Sequence, residues 1–358
     1  MPSVADAVAA PVPSPSRAAS APASDSSTSS RERYLETYRW MLLARLLDEK
    51  LASLYRAGKI SGGVYLGTGQ EALSAALGVN LRKGDVYAPL IRDMAGRLAF
   101  GESVLDATRT YLGSRLGPMQ GRDGNIHRGR PREGSLAMIS HLGAMVSVVN
   151  GALFARRLRG TLGDSIGAAS IGDGGTSTGA FHEGVNQAGV EKLPLVVVVA
   201  NNQYAYSTPT SRQFGCHDLL DRAVGYGFHG HAVDGTDLRA CLETVGNAVE
   251  SARAGHGPQM IVATLLRLTG HGAHDDAAYM DPALRNAPVG RDCLKVSAEQ
   301  IRAAGWATNA DLDGMRAEAV EQVEKAVAQT QREPLPDGAK EDWCALSTRA
   351  LVDASSGR

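Results

Sequence analysis

Residues 166–202 read IGAASIGDGGTSTGAFHEGVNQAGVEKLPLVVVVANN, and this stretch decides the fold. It opens with a short apolar segment, residues 166–171, that predicts a buried strand. Residues 195–200 are apolar at every position, which is typical of a strand covered on both faces of a parallel sheet. Between the two segments, residues 178–192 have the length and composition of a helix. The stretch therefore predicts a β-α-β unit, in which a crossover helix joins two parallel strands.

The same alternation extends along the rest of the chain. Residues 238–253 predict a helix, and the apolar residues 260–266 that follow predict a third buried strand. An amphipathic helix is predicted to end before Gly58, a second one covers residues 70–78, and a last one covers 317–330. Residues 113–134 contain six glycines and no periodicity, which predicts a long functional loop. This order predicts an α/β fold with a doubly wound, mostly parallel sheet flanked by helices.

The composition excludes several classes of function. The chain has 358 residues, and its 37 Lys and Arg against 38 Asp and Glu give a formal net charge of −1. This charge argues against binding to nucleic acid or an anionic membrane, because both depend on basic patches. No apolar run reaches the ~20 residues that span a bilayer. The four cysteines form no CxxC motif, which disfavours a disulfide framework or a zinc site and favours a reducing, cytoplasmic location.

Three segments are predicted along the chain. Residues 1–30 contain 8 Ala, 5 Pro and 9 Ser, and they lack the apolar core of a secretory signal. Such a segment buries too little apolar surface to offset its chain entropy, so we predict a disordered tail. Residues 31–336 are predicted to form one α/β domain, and residues 337–358 a C-terminal extension.

Polar residues follow both strands of the β-α-β unit. Residues 172–175, GDGG, come after the first strand, and Asn202 follows the second. Open α/β sheets bind ligands at the carboxyl ends of their strands, so these residues are expected to meet there. Asp173 offers a carboxylate oxygen, Asn202 an amide oxygen and Tyr204 a backbone carbonyl, all of them donors that suit Mg²⁺.

The glycines of this motif add a second expectation. Gly174 and Gly175 allow the backbone to approach a diphosphate, and the N-terminus of the following helix favours an anion. The motif therefore predicts a metal ion that holds a diphosphate. The alternative is an ordinary Gly-Asp-Gly turn.

These residues resemble a known family. From Gly172-Asp173-Gly174 to Asn201-Asn202 the chain is similar to the thiamine diphosphate motif. Residues 202–211, NQYAYSTPTS, resemble the alpha chain of the first, decarboxylating component of the 2-oxo acid dehydrogenase complexes. The resemblance runs from about Tyr34 to about Pro336 and includes GQEA at 69–72, GNIH at 124–127, VDG at 233–235, GHGAHDD at 270–276, GW at 305–306 and REP at 332–334. It implies that thiamine diphosphate and Mg²⁺ are the cofactors.

The resemblance also implies the roles of single residues. The side chains of Asp173 and Asn202 and the carbonyl of Tyr204 would bind Mg²⁺. Contacts to thiamine diphosphate are implied for residues from several loops, namely Arg92, Ser140, Leu142, Gly172, Gly174, Gly175, Ala205 and His271.

Two positions depart from the family pattern. Ile91 replaces a tyrosine beside Arg92, and Tyr65 stands where pyruvate-type members carry a histidine. Arg92 itself would bind the diphosphate, and the alternative for it is a surface ion pair with Asp93.

Two histidines are candidates for catalysis. His271 stands where the family has a histidine beside the thiazolium ring, and an imidazole that titrates near neutrality suits proton transfer. His127 is expected to reach the same cavity. Both have a structural alternative, since a lone histidine is more often a hydrogen-bonding group of the core. Gly272 stands where mitochondrial members have a phosphorylated serine, so control by a kinase at that position is not expected.

The resemblance implies partners as well. The other half of the cofactor site would lie on a beta chain, in an assembly of two alpha and two beta chains. The acyl product would pass to the lipoyl group of a partner acyltransferase. Residues 207–210 look closest to branched-chain members, with pyruvate as the next candidate substrate and acetoin as a third. A transketolase-like enzyme and a non-catalytic scaffold are the alternatives from other classes, and 358 residues leave no room for both cofactor domains of the former.

Overall fold

The computed structural model describes residues 27–123 and 125–341, with only the backbone described for residues 27–29. The predictions made for residues 1–26, Gly124 and residues 342–358 lie outside these ranges. They include most of the predicted tail and most of the C-terminal extension. The first helix begins at Ser27, four residues earlier than the start of order predicted at Arg31.

Five parallel strands form the central sheet. The strands of the described residues are, in chain order, β1 (Val86–Ala88), β2 (Gly167–Gly172), β3 (Leu195–Asn201), β4 (Tyr204–Ala205), β5 (Thr208–Pro209), β6 (His229–Asp234) and β7 (Gln259–Thr264). The order across the sheet is β1-β2-β3-β7-β6, and β4 and β5 form a separate antiparallel hairpin. All neighbours within the five-stranded sheet run parallel, which confirms the predicted fold class.

Helices cover the sheet on both sides. They are α1 (Ser27–Arg56), α2 (Glu71–Asn80), α3 (Met94–Ala99), α4 (Val104–Tyr111), α5 (Ala144–Leu158), α6 (Gly179–Glu191), α7 (Asp221–Gly225), α8 (Leu238–Arg253), α9 (Pro282–Asn286), α10 (Cys293–Ala303) and α11 (Asn309–Thr330). The helix α6 connects β2 to β3, as the β-α-β prediction required. The described residues between 113 and 134, all except Gly124, contain one short 3₁₀ turn, Pro131–Glu133, and are otherwise irregular.

The apolar run of β3 supplies both layers of the core. Val196 and Val198 pack in one cluster with residues of α1, α2 and α8, whereas Val197 and Val199 pack in a second cluster with residues of α5 and α6. Side chains alternate between the faces of a strand, so a continuous apolar run is what a sheet covered on both faces requires. Full burial of one such side chain stabilises the fold by about 1.5–3 kcal/mol.

Some element boundaries differ from the sequence-based predictions. The strand predicted over residues 260–266 ends at Thr264, although the backbone N–H groups of Leu265 and Arg267 still donate to the carbonyls of Asn201 and Asn202. The last helix begins at Asn309 rather than at residue 317. Its N-cap, Thr308, forms a capping box with Asp311, a local signal that marks a helix start.

The strand ends bring distant segments of the chain to one edge of the sheet. Parallel strands place all their carboxyl ends on the same side, so the loops after β1, β2, β3 and β7 meet there. None of the helices in the described residues is long and apolar enough to cross a membrane.

Candidate active site at the carboxyl edge of the sheet

Asp173 and Asn202 meet at the carboxyl ends of β2 and β3. The backbone N–H groups of both residues donate to the same acceptor, the carbonyl oxygen of Ala200, at 3.2 and 2.9 Å. Both side chains are buried, with 2% and 6% of the residue exposed. The structure therefore brings together the two residues that the sequence predicted as metal ligands.

The Asp173 carboxylate lies in a confined setting. Its Oδ1 accepts from the N–H of Gly174 at 3.0 Å, and its Oδ2 accepts from Nε2 of Gln213 at 3.4 Å. Burial raises the pKa of Asp173 to about 6. A buried carboxylate with a raised pKa gains from a nearby positive charge, which a bound cation would supply.

Tyr204 lies in a tight turn at residues 203–206, directly after Asn202. Gln203 and Tyr206 have positive φ values of 75° and 53°, which is uncommon for residues other than glycine. The turn leaves the carbonyl oxygen of Tyr204 as acceptor for Nη1 of Arg267 at 3.2 Å. A carbonyl oxygen has two lone pairs, so this bond leaves capacity for one further partner.

The glycines after β2 are required by close packing. A Cβ atom on Gly174 would lie 2.3 Å from Cβ of Ala205, and one on Gly175 would lie 2.7 Å from Cγ1 of Ile171. Gly172, in contrast, has open space around its Cα. The loop at residues 174–177 forms a 3₁₀ turn, so α6 begins only at Gly179 and its N-terminus is capped by the side chain of Thr178. This start agrees with the helix predicted over residues 178–192, and the 3₁₀ turn separates it from the glycines.

Arg92 is a buried cation that faces this edge. Only 5% of it is exposed, and its guanidinium donates to the carbonyl oxygens of Leu66 and His271 at 2.8 and 2.7 Å. Burial, with the charge of Arg267 as a smaller contribution, lowers the pKa of Arg92 to about 9. The Asp93 carboxylate instead accepts from the N–H of Leu90 at 2.7 Å. The alternative of a surface ion pair between Arg92 and Asp93 is therefore not what the structure contains.

Arg267 is a second buried cation that the sequence reasoning missed. It is 1% exposed and donates to the carbonyls of Tyr204, Tyr206 and Thr269 and to the hydroxyl of Tyr279. Within the described residues, neither Arg92 nor Arg267 has a carboxylate partner. Arg267 could have been identified from its position immediately after β7, where the chain reaches the same edge of the sheet as it does after β2 and β3.

The ring of His271 lies between two tyrosines. Its centroid is 4.4 Å from that of Tyr206 and 5.3 Å from that of Tyr65. Its Nδ1 is buried and has no hydrogen-bond partner among the described residues. Burial, followed by the charges of Arg92 and Arg267, lowers the pKa of His271 to about 4. The expectation that this imidazole titrates near neutrality was therefore wrong for the free chain, in which its ring is neutral at pH 7.

His127 and Ser140 lie close to each other. Nε2 of His127 is 3.1 Å from Oγ of Ser140, and Nδ1 is 2.9 Å from Oδ2 of Asp123. The segment that carries Ser140 continues to Leu142, whose carbonyl accepts from the hydroxyl of Thr178 at 3.1 Å. Of the two departures from the family pattern, Tyr65 contacts His271, whereas Ile91 is partly buried against the main core.

Buried hydrogen bonds hold the loop at residues 64–69 in place. Gly67 donates to Oδ2 of Asp48 at 2.8 Å, and Gly69 donates to Oε2 of Glu71 at 2.8 Å. The backbone of the same loop bonds the segment after β7, because Ala273 donates to the carbonyl of Val64 at 2.8 Å. The loop at residues 64–69 therefore fixes the position of the segment that carries His271.

Residues 38–338 match the dehydrogenase E1 component family. This chain belongs to that family. The match covers most of the α/β domain and includes every residue proposed above for the site.

Named members of the dehydrogenase E1 component family are similar over most of the chain. The pyruvate dehydrogenase E1 component subunit alpha of Rhizobium meliloti is 33% identical over 309 residues, which cover 86% of this chain and 88% of that protein. The alpha subunit of acetoin:2,6-dichlorophenolindophenol oxidoreductase of Cupriavidus necator is 32% identical over 309 residues, covering 86% and 92%. The 2-oxoisovalerate dehydrogenase subunit alpha of Bacillus subtilis is 36% identical over 244 residues, covering 68% and 73%.

Proposed function

We propose that this chain is the alpha chain of a thiamine diphosphate-dependent 2-oxo acid dehydrogenase that acts together with a beta chain. The observation that carries the proposal is the pair of buried cations, Arg92 and Arg267, at the edge where Asp173 and Asn202 lie. Among the described residues no carboxylate forms an ion pair with either guanidinium, and a buried charge without such a direct partner is costly, so both groups favour an anionic ligand. A diphosphate supplies that charge.

The residues of the edge fit the cofactor and its metal. The oxygens of Asp173, Asn202 and Tyr204 form a donor set that suits Mg²⁺, which usually takes few protein ligands and completes its shell with phosphate and water. Arg92 would bind the diphosphate, next to the backbone at Gly172, Gly174 and Gly175. Ser140, Leu142 and Ala205 are the further contacts that we propose for the cofactor, since their segments pack against this turn.

Bound thiamine diphosphate supplies the carbon nucleophile and the electron sink that decarboxylation of a 2-oxo acid needs. In this proposal the chain's own residues bind the cofactor and orient the substrate. His271 orients the substrate carboxylate and exchanges a proton with the reacting groups, because its neutral ring has an unpartnered nitrogen. His127 is a second proposed catalytic group. Tyr65 and Tyr206, whose rings contact His271, would limit the access of water to that ring.

The substrate class follows the relatives only in part. We propose a branched-chain 2-oxo acid as the first candidate, since residues 207–210 resemble branched-chain members, and pyruvate as the second. The three relatives named above include pyruvate, acetoin and 2-oxoisovalerate enzymes at similar identities, so acetoin is a third candidate. In the first two cases the acyl group would be transferred to the lipoyl group of a partner acyltransferase.

The test is reconstitution with a beta chain from the same organism. The complex is incubated with thiamine diphosphate, Mg²⁺ and a dye acceptor, and a panel of 2-oxo acids and acetoin is compared. We expect turnover with 2-oxoisovalerate or pyruvate and dependence on both chains. Turnover with acetoin alone would change the substrate class, and no turnover with any member of the panel would contradict the proposed function.

A further inference from the structure

Asp123, His127 and Ser140 form a continuous chain of hydrogen bonds. Oδ2 of Asp123 lies 2.9 Å from Nδ1 of His127, and Nε2 of His127 lies 3.1 Å from Oγ of Ser140. A carboxylate only accepts, so Nδ1 carries the hydrogen. In the neutral ring Nε2 is then the acceptor for the hydroxyl of Ser140. The sequence had identified His127 and Ser140 separately, and had not identified Asp123.

The two oxygens of Asp123 have separate tasks. Oδ1 accepts from the backbone N–H of Asn125 at 2.8 Å and so stabilises the local turn, whereas Oδ2 faces the histidine. The side chains of Asp123 and His127 are 28% and 31% exposed. Pairs with this much exposure contribute little to the stability of a fold. What Oδ2 adds is therefore mainly the orientation and the tautomer of the imidazole.

The chain of hydrogen bonds ends beside the proposed cofactor turn. Two residues after Ser140, Leu142 lies close to Gly175, because a Cβ atom on this glycine would be 3.7 Å from Cβ of Leu142. The next residue, Gly143, has a φ of 87°, and a Cβ atom there would lie 2.5 Å from Oγ1 of Thr178. The segment at residues 140–143 is thus fixed at one end by His127 and at the other by the residues that follow Asp173.

We propose that Asp123 is a positioning residue of the active site. It fixes His127 in the tautomer that carries hydrogen on Nδ1, so that Nε2 holds the hydroxyl of Ser140 and sets the position of the segment at residues 140–142. The inference rests on the proposed function, because it assigns this chain of hydrogen bonds to the cofactor site. It adds a residue and a defined protonation pattern to that site.

Asp123→Asn separates the two tasks of this side chain. The amide oxygen still accepts from Asn125, but the amide nitrogen cannot accept from Nδ1–H of His127. We expect kcat of the reconstituted complex to fall about 10- to 100-fold, by analogy with residues that orient metal-bound histidines. The affinity for thiamine diphosphate and KM for the 2-oxo acid should change little. Asp123→Glu, which keeps the carboxylate, should restore part of kcat. Asp218→Asn is the matched control, because Oδ1 of Asp218 makes the same type of bond to the N–H of Leu220.

Two further measurements separate positioning from loop stability. The ¹³Cδ2 signal of His127 in histidine-labelled protein, assigned with His127→Gln, reports the tautomer without any turnover. We expect the Nδ1–H form in the wild type and its loss in Asp123→Asn, and the same tautomer in both proteins would overturn the proposal. In a double-mutant cycle with Ser140→Ala, the effects on kcat should be less than additive. Additive effects, or a loss of kcat that only follows a loss of cofactor affinity, would also overturn it.

The outcomes also distinguish this inference from the proposed function. If the wild-type complex turns over none of the 2-oxo acids, the proposed function fails and the positioning role fails with it. If the wild type is active and Asp123→Asn is equally active, only the role of Asp123 is wrong.

Discussion

The side-chain amide of Asn202 donates to Oε1 of Gln70 at 3.2 Å, across a sequence separation of 132 residues. Both side chains are buried, with 6% and 4% of the residue exposed. Because Gln70 takes the amide nitrogen, Oδ1 of Asn202 points to the other side, where the N–H of Tyr204 lies at 3.4 Å. Gln70, the second residue of the GQEA motif, thus orients Oδ1 of Asn202, which is the oxygen that we propose as a metal ligand.

Loss of this orientation should weaken metal binding. We expect Gln70→Met to lower the Mg²⁺-dependent affinity for thiamine diphosphate about 10- to 100-fold, as for other groups that orient a metal ligand. Calorimetric titration of the reconstituted complex with thiamine diphosphate measures this affinity. Gln300→Met is the control, since Gln300 donates to Asp237, which follows the outer strand β6 rather than β2 or β3. Unchanged affinity in Gln70→Met would show that Asn202 does not depend on Gln70.

Replacing Arg92 should separate stability from binding. The buried guanidinium has a pKa lowered to about 9, so its charge opposes folding of the free chain and favours an anionic ligand. We expect Arg92→Met to leave the melting temperature without cofactor unchanged or higher, although two carbonyls lose a partner. The increase in melting temperature on adding thiamine diphosphate and Mg²⁺ should become much smaller. Arg316→Met, at an exposed position, is the control. If thiamine diphosphate and Mg²⁺ raise the melting temperature of Arg92→Met as much as that of the wild type, Arg92 does not contact the diphosphate.

His271→Ala tests the catalytic role of the imidazole. The backbone carbonyl that accepts from Arg92 remains in this variant, so the affinity for thiamine diphosphate should be nearly normal. Loss of a group that positions a proton typically lowers kcat about 10²- to 10⁴-fold, and we expect a decrease in that range. His274→Ala, on the exposed side of the same loop, is the control. Wild-type turnover in His271→Ala would make the histidine structural, and loss of the cofactor would make it a binding residue.

Asp48 should make stability depend on pH. Burial raises its pKa from 3.8 to about 7 in the folded chain. Between about pH 4 and 7 the folded state keeps a proton that the unfolded state has released, so the contribution of Asp48 to stability falls as pH rises and is constant above that window. Each unit of pKa difference corresponds to about 1.4 kcal/mol.

Asp48→Asn removes this titration and keeps an oxygen that can accept from Gly67. Relative to the wild type, the variant should gain stability between pH 4.5 and pH 8, as measured by denaturant unfolding at both values. Exposed Asp276→Asn is the control and should show no comparable gain. An equal stability difference between Asp48→Asn and wild type at both pH values would contradict the raised pKa.

The sequence by itself determined the β-α-β unit at the centre of the fold and the types of residue that follow its two strands at the proposed site. Residues 166–202 contain an apolar run long enough for one strand, a helix of the right length and polar residues where each strand ends, and parallel pairing follows from these local features. Within the five-stranded sheet, the strands that the sequence did not predict are β1 and β6, which are its two outermost strands. The hairpin strands β4 and β5 were not predicted either. β1 has three residues, and β6 includes exposed His229 and Gly230, so neither carries the continuous apolar run that a central strand requires.

Only the tertiary structure decided which side chains face the site and in what state. Arg267, Gln70 and Asp123 lie in distant parts of the chain. Their hydrogen-bond partners at the edge depend on the packing of separate loops, which no local pattern records. Burial also sets protonation, since the loss of water around His271 and the nearby charges of Arg92 and Arg267 lower its pKa to about 4. Residue type is fixed by the sequence, whereas solvation and hydrogen-bond partners exist only after the chain has folded.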